Sequence, residues 1–83
     1  MDYSNRGDKM RRWEKVYEEW LVKYGSPDVE GELRRVKRVI EKAEKIMPGL
    51  KEVLDTLSKD DMVSVAGFVD IFELWEVKRS EVR

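Results

Sequence analysis

The stretch that decides the fold runs LSKDDMVSVAGFVDIFELWEV, from Leu57 to Val77. Ser58 and Asp61 stand in capping-box spacing, and Leu57 and Met62 hold the two positions of a hydrophobic staple. A helix is therefore predicted to start at Lys59. Beyond the cap, Ser64, Gly67, Asp70, Glu73 and Glu76 put a polar or small residue at every third position. At about 100° per residue, three steps fall about 60° short of a full turn, so this stripe spirals and shields no single face. Val63, Val65, Phe68, Val69, Ile71, Phe72, Leu74, Trp75 and Val77 consequently point in nearly every direction.

A helix apolar all round is ordinarily buried all round. In a chain of 83 residues, three further helices, one of them short, have difficulty enclosing it, whereas a second copy of the chain would cover it. Self-association through Phe68, Val69, Ile71, Phe72 and Trp75 is therefore expected, with a homodimer as the assembled state. Competing readings place this helix at the centre of a monomeric bundle, with Glu73 and Glu76 on its rim, or cover it with a different protein or a membrane surface; against the membrane, the helix lacks a Lys/Arg-rich polar face and its interior charges are acidic.

Towards the N-terminus, Leu50, Val53, Leu54 and Leu57 describe a short third helix of two or three turns. Pro48-Gly49 separates it from a longer one. That second helix carries Val29, Leu33, Val36, Ile40, Ala43 and Met47 in three-four steps, with Val39 and Ile46 alongside. Ser26-Pro27-Asp28 opens it with a capping hydroxyl, a tolerated proline and an acid near the positive end of the helix dipole. The first helix is predicted from Asp8, as N-cap, to Gly25, a C′-type residue. Its stripe is Met10, Trp13, Tyr17, Trp20 and Tyr24, widened by Val16 and Leu21. Residues 1–7 show no periodicity and read as a tail.

Short connections favour antiparallel packed neighbours. The expected fold is all-α: one compact four-helix domain over residues 8–83, with three longer helices and a short third, assembled as a dimeric helical bundle. The aromatics Trp13, Tyr17, Trp20 and Tyr24 fit a core stripe. They also form a candidate secondary interface, because Trp and Tyr are enriched at hot spots and their polar atoms suit a boundary.

Composition narrows the chemistry. The chain has no cysteine and no histidine, which removes disulfides, most soft-metal sites and Ser-His-Asp or Cys-His catalysis. Carboxylate pairs remain: Glu52 with Asp55, Asp60 with Asp61, and Asp70 with Glu73. All-α nucleotide pyrophosphohydrolases hold magnesium with acidic helix motifs, but here Glu18-Glu19 is followed by Trp20, Leu21 and Val22, and the paired-glutamate motif is missing. No catalytic residue, metal ligand, cofactor or small-molecule substrate is expected. Asp70, between Val69 and Ile71, would need a basic partner if buried.

Nucleic-acid binding is the alternative function. Arg34, Arg35, Lys37, Arg38, Lys42 and Lys45 form a basic stripe on the second helix. Glu30, Glu41 and Glu44 interrupt it, with Glu30–Arg34 and Glu41–Lys45 in ordinary i,i+4 order. The net charge of −1 is also unlike the basic excess of phosphate binders. The third helix, turn and fourth helix have a helix-turn-helix outline, yet the fourth offers Val, Phe, Ile and Leu where a recognition helix offers polar groups.

Charged residues make up 42% of the chain, glutamine is absent and Asn5 is the single asparagine. This bias resembles small proteins of hyperthermophilic archaea and of their plasmids or viruses. No apolar run approaches membrane-spanning length, so a cytoplasmic protein with no membrane partner is expected. Together these features point to a non-enzymatic interaction module: an adaptor, subunit or regulatory protein.

Overall fold

The computed structural model describes residues 10–82 and builds them into four α-helices. These are α1 (Arg12–Tyr24), α2 (Val29–Ile46), α3 (Leu50–Leu54) and α4 (Met62–Val82), the last entered through a 3-10 turn at Lys59–Asp61. No strand occurs among the described residues. The expected tail at residues 1–7 and the Asp8 cap lie outside them.

Most helix ends have an identifiable cause, and several differ from expectation. At the end of α1, Gly25 turns left-handed at φ 90°. Its N–H donates to the Val22 carbonyl at 3.2 Å, and Ser26 N donates to the Leu21 carbonyl at 3.0 Å. This Schellman pairing satisfies the last carbonyls of the helix. Ser26 is thereby used to close α1 and does not cap α2. Asp28 caps α2 instead, accepting from Gly31 N at 3.0 Å, and a Cβ at Gly31 would collide with that carboxylate.

The start of α1 is corrected more deeply. It begins at Arg12 after an extended Arg11, whose side chain has no acceptor to offer an orphan N–H. Asp55, at the end of α3, supplies one: its Oδ1 accepts from Trp13 N at 3.2 Å. Its Oδ2 accepts from Arg11 Nε at 3.1 Å and Nη2 at 2.7 Å. Arg12 Nη1 closes the junction by donating to the carbonyls of Asp55 at 2.8 Å and Leu57 at 2.9 Å.

The third helix is shorter than expected, at 5 residues. Thr56 N and Leu57 N fall back on the carbonyls of Val53 and Leu54, tightening the chain before the helix can lengthen. Its start is anchored by Glu44, which accepts from Gly49 N at 3.2 Å and Lys51 N at 3.0 Å. Gly49 takes φ 93° there, a conformation that favours glycine. The Ser58–Asp61 box forms, with Ser58 N donating to Asp61 Oδ2 at 3.0 Å, but the turn it opens at Lys59 is 3-10 and the α-helix proper begins at Met62.

One core joins the helices. α1 contributes Trp13, Tyr17 and Leu21; α2 contributes Val36, Val39, Ile40 and Ala43; α3 contributes Leu54; α4 contributes Met62, Val65, Val69 and Phe72. The central helix is α2, which packs on α1, α3 and α4; α4 is not enclosed. At the far end of α2, Ile46 and Met47 are exposed, as is Val53 in α3. Residues 77–81 of α4 are all exposed, so its last turns extend past the packed helices. The principal extents are 47 × 28 × 23 Å.

Candidate interaction surface

The two sides of α4 meet different surroundings. Met62, Val65, Val69 and Phe72 step by three and four and fill the core, the spacing of one helix face. On the opposite arc, Ile71 is 65% exposed, Val63 60%, Leu74 55%, Val77 53% and Trp75 42%. Isolated exposed apolar side chains are unremarkable, but several on one arc of a helix offer apolar surface of the kind found at interaction sites.

The five residues expected to carry self-association therefore separate. Val69, at 0% exposure, and Phe72, at 8%, lie inside the protomer, packed beneath α1 and α2. Phe68 is half-buried against the core. Ile71 and Trp75 are on the open face, joined by Val63, Leu74 and Val77. Trp75 packs beside Phe72, centroids 5.3 Å apart, and Arg79 lies 5.0 Å over its ring, a cation–π arrangement.

The aromatics of α1 separate in the same way. Trp13 and Tyr17 are core residues, Trp20 is half-buried and Tyr24 is exposed. Trp20 and Tyr24 stack with centroids 5.2 Å apart, at the edge of an open groove of about 490 Å³. Pro27 and Arg35 line its floor, and Val63 and Gly67 of α4 form its far wall, so the groove adjoins the open face of α4. Burial, chiefly, and the nearby Glu32 push the Tyr17 phenol up to about 12, against a smaller opposing influence of Arg35.

Half of the six cations of the α2 stripe are occupied within the protomer. Arg35 is the centre of a network: Nη2 donates to Glu73 Oε1 at 2.7 Å and Asp70 Oδ1 at 2.8 Å, while Nη1 donates to Glu32 Oε1 at 3.0 Å. These bonds, Glu73 first, raise the guanidinium above its ordinary range, and the same bond holds the Glu73 carboxyl below its own. Lys42 lies 3.4 Å from Glu76. Lys37 lies 3.6 Å from Glu14, a carboxylate almost closed to solvent. Arg34, Arg38 and Lys45 are exposed, with no ion pair found among the described residues.

Asp70 is not the buried acid its neighbours suggested. Its side chain is 69% exposed and faces Arg35, because the polar spiral reaches the α2 side at this point. Of the other paired acids, Asp55 is spent on the α1 junction and Asp61 on its cap. No three acidic residues gather as a metal site among the described residues. No described helix is long and apolar enough to cross a membrane. No protein-family model, curated protein or solved structure matches the chain.

Proposed function

We propose that the chain is a non-enzymatic interaction module that self-associates through the outer face of α4. The observation that supports this is the group Val63, Ile71, Leu74, Trp75 and Val77, between 42% and 65% exposed on one helix while the opposite arc is fully packed. Removing such side chains from water stabilises association by about 25 cal/mol per Å² of apolar surface, less the entropy of association. An adaptor, subunit or regulatory role follows from a surface that offers contact and no chemistry.

Duplex binding has less support. Arg35, Lys37 and Lys42 already face carboxylates, and displacing those partners would offset any gain from a phosphate.

The test is a charge placed on the open face. Leu74→Glu and Ile71→Glu should each keep the helical circular dichroism of the parent chain and elute from gel filtration as monomers. Parent-like elution by both folded variants would remove this face from the interface.

A further inference from the structure

We infer that a second copy packs antiparallel against α4, about a two-fold axis that crosses the outer face at the level of Val69 along the helix, so that the small half of each outer face receives the large half of the other. This rests on the self-association proposed above and specifies its geometry.

Five exposed residues of α4, Ser64, Gly67, Ile71, Leu74 and Lys78, follow one another in steps of three, four, three and four, and Asp60, exposed in the 3-10 turn that leads into the helix, stands four residues before the first. That is the seven-residue repeat of a helix–helix seam, and it lies outside the protomer core. Their order along the helix is acid, small, small, large, large, base. Read against itself in reverse, the seam matches Asp60 with Lys78, Ser64 with Leu74 and Gly67 with Ile71, each pair symmetric about Val69. Val63 and Val77, exposed on one flank of the seam, meet one residue from the same centre. A parallel pair would instead set Asp60 against Asp60, Lys78 against Lys78 and glycine against glycine, leaving repulsion at both ends and a void between.

Gly67 supplies an independent indication. Glycine weakens a helix interior, yet a Cβ built at this position meets nothing within 4 Å. The protomer has no use for the missing side chain, whereas an approaching Ile71 of a second copy does.

Asp70 sits on the same flank as Val63 and Val77 and would come close to its symmetry copy. Arg35, 2.8 Å away, supplies the countercharge there. The contact of Lys78 with Glu81 is long, at 3.9 Å, and exposed, which leaves the ammonium free to turn towards Asp60 of the other copy.

A chain without cysteine makes the geometry readable by crosslinking. Ser64→Cys and Leu74→Cys chains, mixed and oxidised, should give the mixed disulfide at least tenfold over either homodimeric one. Predominant homodimeric crosslinks, or none, in a chain that light scattering shows to be dimeric would overturn the antiparallel register while leaving self-association standing. A monomeric parent chain would overturn both. Gly67→Leu gives a second reading: the protomer should melt at an equal or higher temperature while dimer affinity falls at least tenfold. Unchanged affinity in that variant would contradict the pairing of Gly67 with Ile71.

Discussion

The inner and outer faces of α4 both carry large apolar side chains, and the surroundings of those side chains differ completely. Val65, Val69 and Phe72 are removed from water by α1 and α2, while Val63, Ile71 and Leu74, one to three positions away, remain more than half exposed. The difference lies in what the rest of the chain can cover. α2 spends Val36, Val39, Ile40 and Ala43 on a hub shared by three helices, and α1, 13 residues long, reaches one side of α4. α3, a single short turn, is committed to the junction with α1. Apolar composition therefore identifies what must leave water, and the number of neighbouring helices decides how much of it the protomer can bury by itself.

The sharpest way to break this comparison is to make one substitution on both faces. Val69→Asp buries an unpaired charge in the core and should destabilise the protomer by more than about 4 kcal/mol in urea titration, most of the stability of a domain this small. Ile71→Asp, two residues on, should change protomer stability by only about 0.5 kcal/mol, measured below the dimerisation range. Equal effects at the two positions would mean that the faces are not distinct.

A smaller effect tests what holds the start of α1 in place. Asp55→Ala removes the acceptor for Trp13 N and the partner of Arg11, and should cost about 1–2 kcal/mol, with loss of helicity concentrated in α1. Wild-type melting of that variant would mean that the junction does not hold α1 in place.

Titration separates buried from exposed groups in the same spirit. The Tyr17 phenol is raised from 10.0 to about 12, so the folded state holds its proton more tightly than the unfolded chain. The associated stability is present below pH 10 and is lost as pH rises towards 12. Chemical denaturation between those limits should show the decline, and Tyr17→Phe should flatten it. Glu73 and Glu44 are depressed, Glu73 by Arg35 and Glu44 by the N–H groups of Lys51 and Gly49. Their contributions are present above the ordinary carboxylate range and are lost as pH falls through the depressed values. Both are partly exposed and screened by solvent, so this is the smallest effect. Glu73→Gln should reduce stability at neutral pH by less than Asp55→Ala does in the same urea titration.

Local signals in the sequence carried most of the architecture. The Ser58–Asp61 box, Gly25 at the end of α1 and the three-four steps of α2 each act within a few residues, and the corresponding elements appear there, α4 after one 3-10 turn at Lys59–Asp61. The start of α1 was not legible because its cap comes from Asp55, 42 residues away, and no local pattern announces a partner at that distance. The length of α3 was overestimated because Leu57 continues the helical spacing while its backbone has already left the helix to become the staple residue of α4. For the interaction surface, periodicity showed that α4 is apolar all round but held no information on which arc the protomer would cover. Val69 and Phe72 were therefore grouped with Ile71 and Trp75. The alternating four-three spacing from Asp60 to Lys78 was present throughout, and it gains meaning once the opposite arc is known to be buried.

Sedimentation equilibrium of the unmodified chain over a wide concentration range tests self-association through α4 most directly. The predicted result is a concentration-dependent mass approaching twice the 9.9 kDa of one chain, abolished by Leu74→Glu. A mass of 9.9 kDa at every concentration up to the millimolar range would contradict it.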